Sequence, residues 1–427
     1  MSAATEPRVV TFGCRLNAFE SEIIRANARA AELENAIVVN TCAVTAEACR
    51  QARQAIRRLR RENPSARLIV TGCAAELDAE CFASMTEVNH VLGNAAKLDP
   101  ARYAPEALAR TARTSGTDPG PGGARPRLPW NGLTALAGPE GRARAYLQVQ
   151  QGCDHRCTFC IIPFVRGPNR SVPISAAVTQ ARSLCEAGYC EIVLTGVDLC
   201  SYGADLAGTT TLATLVRLLL SEVPALARLR LSSLDPGRVP DALITVLGED
   251  ARLMPHLHLS LQSLDPVILK RMKRRHAPDD VRALCARARA ARPDVAFGAD
   301  LIAGFPTETE TQFARTLDGV AELGLAYLHV FPYSPRPDTP AARMPQVPVG
   351  VRKARAARLR GAGDRAFLAH LGTRLGASTE VLVETSERGR CPDYAPARLS
   401  APAPPGTIVE ATIMGVTDGV LVAETAA

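Results

Sequence analysis

The chain has 427 residues, 47% hydrophobic and 22% charged, which suits two or three globular domains and excludes a disordered or fibrous protein. Its thirteen cysteines come without an export-type leader, which argues against a disulfide-stapled secreted scaffold and for thiol or metal chemistry in the reducing cytoplasm. No apolar run approaches membrane-spanning length, so no membrane partner is expected, and a net charge of +7 fits a nucleic-acid partner.

The first segment, 6–114, alternates strands and helices. Residues 9–13 read as a buried strand, 17–31 as a helix, 37–40 as a strand, 46–62 as a strongly basic helix, 68–72 as a third strand and 90–93 as a fourth. This order predicts a parallel sheet covered on both faces. Cys14, Cys42 and Cys73 each fall just beyond one of the first three strands. Strand C-termini of a parallel sheet emerge on one edge, where open α/β sheets bind ligands. Three thiolates meeting there suit a 4Fe-4S cube with one iron left open. The alternative is that they are small buried residues. Cys49 and Cys81 lie on the following helices and read as structural.

Residues 115–138 are dense in Pro and Gly and read as a linker. The segment 139–372 is again β/α, with strands expected at 145–150, 192–195, 229–232, 257–261, 296–302 and 327–331. Six such strands predict a partial (β/α)6 barrel. After the first strand stands C-x-x-x-C-x-x-C, formed by Cys153, Cys157 and Cys160, with Phe159 just before the last cysteine. Three close thiolates can hold three corners of a 4Fe-4S cube and leave one iron open. Zinc would need a fourth ligand, for which His155 inside the loop is the one close candidate. Chemistry in α/β barrels sits at strand C-termini, and these carry Gly196, Asp198, Ser233, Gln262 and Asp300. Such residues serve equally as strand-end turns. The last segment, 374–427, shows short runs at 379–384, 407–414 and 420–424 and predicts a small antiparallel β-barrel without an aromatic-rich nucleic-acid surface.

The motifs together resemble the radical S-adenosylmethionine (SAM) methylthiotransferase family. They are Cys14 with Arg15, Leu16, Asn17 and Ser21; Asn40-Thr41-Cys42; Thr71-Gly72-Cys73; the Cys153 loop with Arg166-Gly167; Leu259 to Ser263; Gly304 to Thr309; and Phe331 to Pro340. The resemblance implies two 4Fe-4S clusters, one on Cys153, Cys157 and Cys160 that cleaves SAM to a deoxyadenosyl radical, and one on Cys14, Cys42 and Cys73 that carries sulfur. It implies a SAM pocket in which Phe159, Gly196, Asp198, Ser233, Gln262 and Asp300 take part. It also implies a C-terminal RNA-gripping (TRAM) domain at 374–427, a tRNA substrate, an external electron donor of flavodoxin-like type, a sulfur source the sequence does not name, and a monomer. The Cys14 motif and the stretch from Arg230 to Pro236 are most similar to the group acting on N6-threonylcarbamoyladenosine beside the anticodon, at its C2. Sister groups act on N6-isopentenyladenosine or on an aspartate of a small-subunit ribosomal protein. The chain departs from the pattern at Cys391 to Tyr394 and at Ala401 to Pro405, where more glycine-rich loops are usual.

Overall fold

A computed structural model describes residues 6–110, 114–115 and 143–425. The described residues fall into two compact units. The first takes the N-terminal segment together with Gln151–His155 and Cys160–Asn169, and the second takes the rest, including Arg156–Phe159.

In the first unit a five-stranded parallel sheet runs in chain order: β1 (Arg8–Thr11), β2 (Ala36–Thr41), β3 (Arg67–Gly72), β4 (His90–Leu92) and β5 (Thr114–Ser115). Helices α1 (Arg15–Ala30), α2 (Ala46–Glu62), α3 (Cys73–Leu77), α4 (Ala79–Ala83), α5 (Pro105–Arg110) and α6 (Ile162–Arg166) complete it. The central strands β2 and β3 are buried along nearly their whole length because both faces are covered, while the edge strand β1 keeps partial exposure. Val38, Ile69 and Leu92 meet Ile24 and Ala28 of α1. Ile37, Val39, Leu68 and Val70 meet Ile56 and Leu59 of α2, and Ile161 and Val165 beside α6 join this second core. Ile56 is wholly buried, so cutting it to Ala would cost about 2–5 kcal/mol. Thr45 starts α2 by accepting the Ala48 N–H at 3.1 Å. Of the expected linker 115–138, Ser115 pairs with Leu92 and the remainder lies outside the described residues.

The second unit begins with β6 (Arg144–Gln148); the short β7 (Gln150–Gln151), whose last residue belongs to the first unit, and β8 (Arg170–Ser171) come next. Parallel strands β9 (Glu191–Thr195), β10 (Arg228–Leu231), β11 (His256–Gln262), β12 (Ala296–Ala303) and β13 (Leu325–Pro332) follow. Between and after them run α7 (Ile174–Glu186), α8 (Leu212–Glu222), α9 (Asp241–Glu249), α10 (Pro266–Arg271), α11 (Pro278–Ala291), α12 (Glu310–Glu322) and α13 (Val349–Gly372). Strands β6, β9 and β10 form one parallel sheet and β11 to β13 another, joined by bridges Leu229–Leu253 and Leu234–Leu259. The result is the expected six-stranded partial barrel. Side chains alternate along each strand. Phe297 faces outward under Arg289 of α11 and Leu328 packs on Gly363 of α13, so His258, Asp300 and His329 face the lumen.

The unit ends in a closed five-stranded barrel: β14 (Ser378–Thr385), β15 (Arg388–Arg390), β16 (Pro396–Leu399), β17 (Ile408–Thr417) and β18 (Val420–Thr425). It differs from the sequence expectation in two ways. Two further strands lie in the polar stretch, too short to show alternation, and β16 pairs with β18 in parallel, Ala397 opposite Leu421. Tyr394, at φ +77°, turns the chain between β15 and β16. Its ring stacks on His256 at 5.2 Å and lies under the guanidinium groups of Arg230 and Arg390 at 4.9 and 4.5 Å. Glu191, wholly buried, accepts from Arg144 at 2.8 Å and from Arg230 at 3.0 Å, while Arg144 also reaches Glu384 of β14. Burial would raise the Glu191 carboxyl, but Arg230 and Arg144 hold it at about 2. The departure at Cys391 to Tyr394 is therefore the plug that seats the small barrel on the larger one.

Candidate metal centres

The three N-terminal cysteines converge as the parallel topology requires. Cys14 is the residue before α1, Cys42 follows β2, and Cys73 opens α3 directly after β3. Cys14 interacts electrostatically with Cys73, and Cys42 with both. Gly13 makes the approach possible: at φ +98° it admits no ordinary side chain, and a Cβ there would lie 2.7 Å from Cys42 Sγ. Asn17, on the first turn of α1, donates to Phe12 O at 2.7 Å and Thr41 O at 2.9 Å, tying the Cys14 loop to the strand end that carries Cys42. Asn40 donates to Asn17 O and to Ser21 Oγ, each at 3.0 Å. Thr41 Oγ1 donates to Thr71 O at 2.6 Å and accepts from the Ala75 N–H at 3.2 Å, linking Cys42 to Cys73.

Beside this nest lies a buried charge cluster that sequence reading missed. Glu20, with no exposure, accepts from Arg166 at 2.7 and 3.0 Å and from Lys97 at 2.7 Å. Arg166 also donates to Asn17 Oδ1 at 2.7 Å, and Lys97 to Asn94 Oδ1 at 2.8 Å. One carboxylate against two cations leaves one positive charge in surplus. Burial would raise the Glu20 carboxyl, yet Arg166 and Lys97 hold it at about 2. Burial raises the thiol of Cys14, with Arg166 opposing, and pushes Cys42 up to about 12. As metal-free thiols these groups are inert, while cluster binding deprotonates them. Three thiolates on a 4Fe-4S cube carry net negative charge, which the surplus cation offsets. The nest therefore fits such a group.

The Cys153 loop is anchored at each of its parts. Gly152, at φ +74°, is required because a Cβ would fall 1.8 Å from Pro168 O. Cys153 donates its N–H to Gly167 O at 3.0 Å. The Ile162 N–H donates to Cys160 Sγ at 3.4 Å. In the second unit, Arg274 donates to Cys157 Sγ at 3.7 Å and to Ser260 O at 2.8 Å. Thr158 is fixed by bonds to Met272 O and Arg271 O. All three cysteines keep partial exposure. Donors aimed at the sulfurs would tune a bound cluster, so this loop fits one too.

The expected pocket residues divide. Gly196 lies where a Cβ would meet Gln150 Oε1 at 2.8 Å, and the Asp198 N–H donates to that same oxygen at 2.8 Å. The Asp198 carboxylate accepts from Ser201. Ser233 and Gln262 are half-buried at their strand ends, and Gln262 has φ +67°, a costly conformation for a non-glycine residue. Phe159 packs edge-on against Phe305 at 6.4 Å, a hydrophobic anchor for the loop. Asp300 is committed to two imidazoles, His258 and His329, which hold its carboxyl well below the usual range against the effect of burial.

A partial β/α barrel with a three-cysteine loop after its first strand, and a three-cysteine nest on a separate parallel sheet, have the donor sets that a two-centre iron–sulfur enzyme requires. Residues 147–320 match the Radical SAM superfamily, and residues 7–93 match Uncharacterized protein family UPF0004. The chain is 44% identical over 411 residues to Threonylcarbamoyladenosine tRNA methylthiotransferase MtaB of Rickettsia prowazekii (strain Madrid E), covering 96% of this chain and 95% of the relative. It is 38% identical over 403 residues to tRNA-2-methylthio-N(6)-dimethylallyladenosine synthase of Novosphingobium aromaticivorans, covering 90% and 87%. Among solved structures, the radical SAM methyltransferase TsrM from Kitasatospora setae shares the fold, with TM-score 0.52 at 13% identity over 79% of this chain and 75% of that one. The chain belongs to the radical SAM methylthiotransferase family and is an enzyme of that class, which uses SAM and 4Fe-4S clusters.

Proposed function

We propose that this enzyme adds a methylthio group to C2 of N6-threonylcarbamoyladenosine beside the tRNA anticodon. The observation that carries the reading is the 44% identity, over 96% of the chain, to a relative bearing that activity in its name. A cluster held by Cys153, Cys157 and Cys160 would supply the reductive cleavage of SAM, and one held by Cys14, Cys42 and Cys73 would supply the sulfur. The chain's own residues bind and orient. Gly196, Asp198, Ser233 and Gln262 border SAM, with Gln150 fixing the turn at Gly196–Asp198. Phe159 anchors the cysteine loop. Asn17 and Thr41 hold the sulfur-side thiolates together, and the Glu20–Arg166–Lys97 cluster offsets their charge.

The C-terminal barrel at 374–427 grips RNA in this reading. Arg388 and Arg398 are exposed and directly opposite each other on β15 and β16. Like charges so placed repel, and a phosphate between them would relieve the repulsion. Arg390 is instead committed to Tyr394. The N-terminal domain at 6–114, the core at 139–372, cytoplasmic location, an external electron donor and a monomeric state belong to the same proposal. Among the described residues no helix is long and apolar enough to cross a membrane.

The test is nucleoside mass spectrometry of tRNA from a strain lacking the gene, with and without complementation. The 2-methylthio-threonylcarbamoyl nucleoside should vanish and return. Loss of the 2-methylthio-dimethylallyl nucleoside instead would assign the substrate of the Novosphingobium relative.

A further inference from the structure

His258, Asp300 and His329 stand on the neighbouring strands β11, β12 and β13, with Asp300 opposite His329 and His258 opposite Gly298. His258 Nε2 lies 3.0 Å and His329 Nδ1 3.2 Å from the same oxygen, Asp300 Oδ1. Gly298 lets the first ring reach across, since a Cβ there would fall 2.3 Å from His258 Nδ1. His258 is buried, but the side chain of His329 is 59% exposed. One imidazole thus locks the carboxylate, and the carboxylate orients the other ring with its Nε2 edge outward. Two residues along, on the same face of β13, the large apolar side chain of Phe331 is 37% exposed. An exposed aromatic beside an oriented imidazole matches a flat base carrying a polar arm, because bases stack on aromatic rings.

We infer that this face of β13 is the subsite for the modified base. Phe331 stacks on the adenine, and His329, its Nδ1 held by Asp300, turns its Nε2 edge to hydrogen-bond the carboxylate of the threonyl arm on N6. His258 is a positioning residue that fixes Asp300. This inference rests on the threonylcarbamoyladenosine reading above. The same three ligand atoms lie within 4.8 Å of one another, a spacing a divalent ion would also accept. Both imidazole nitrogens also lie at hydrogen-bond distance from one carboxylate oxygen.

The test uses the full-length, cluster-loaded enzyme and anticodon stem-loop RNAs bearing threonylcarbamoyladenosine, its carboxamide analogue, or isopentenyladenosine. The enzyme should prefer the carboxylate RNA to the carboxamide by about 10- to 100-fold in kcat/KM, the size of one hydrogen bond between charged groups. His329→Gln should abolish that preference, chiefly through KM. Phe331→Leu should weaken all three RNAs alike, by about tenfold. Equal turnover of carboxylate and carboxamide RNAs by the unaltered enzyme overturns the subsite, as does a preference that survives His329→Gln. No preference for threonylcarbamoyladenosine over isopentenyladenosine overturns the substrate reading instead. A stoichiometric divalent ion that His329→Gln removes assigns the three residues to a metal and likewise overturns the subsite.

Discussion

Glu20→Gln tests how the sulfur-side nest is supported. Glu20 is wholly buried and is shared by Arg166 and Lys97, themselves buried. Gln keeps the shape but removes the charge, leaving two cations uncompensated. Holding the carboxyl at about 2 in place of an ordinary 4.5 corresponds to about 3 kcal/mol of stability at neutral pH. Breaking a buried pair from one side costs about 3–5 kcal/mol, so the two routes agree. Amide exchange near pH 7 should speed up by about 100-fold in β2 and β3, the equivalent of that free energy. Because the folded value lies below the unfolded one, the contribution is complete above about pH 5 and fades as pH falls toward 2. Urea unfolding of the parent chain should weaken over that range, and the variant should weaken less, by about the Glu20 share, because Glu191 and Asp300 still titrate. Exchange within a few-fold of the parent, with the same acid dependence, would refute the reasoning.

Three further outcomes follow from the geometry. Gly13→Ala places a Cβ 2.7 Å from Cys42 Sγ, so loaded protein should hold roughly four of roughly eight irons while still forming 5′-deoxyadenosine; full iron content would contradict this. Arg274→Ala removes a charged donor 3.7 Å from Cys157 Sγ and should lower the potential of the SAM-side cluster by on the order of tens of millivolts, read by an EPR redox titration that would otherwise show no change. Tyr394→Ala empties the seat between His256, Arg230 and Arg390 at a cost of about 3 kcal/mol. Protease should then cut between α13 and β14, and parent-like resistance would refute the plug.

Much of this was legible in the chain because apolar runs and strand ends are local signals. The runs at 37–40 and 68–72 mark central strands, and a cysteine just beyond each marks one sheet edge. Glu20 was not legible. Its partners lie 146 and 77 residues away, and a charged residue on a helix ordinarily reads as solvated. Asp300 was singled out at a strand end, but its two imidazoles come from the register of three strands, which no spacing along the chain displays. Arg388–Arg390 and Pro396–Leu399 are too short for alternation to show, and barrel closure, not their own pattern, makes them strands.

In the function proposed here, the two cysteine triads serve different halves of one reaction. Replacing Cys14, Cys42 and Cys73 together by Ala, in enzyme supplied with SAM, a reductant and threonylcarbamoyladenosine-containing tRNA, tests it most directly. 5′-Deoxyadenosine should still form while the 2-methylthio nucleoside is absent, and replacing Cys153, Cys157 and Cys160 should abolish both. Methylthio product from the first variant, or loss of SAM cleavage in it, would contradict the account.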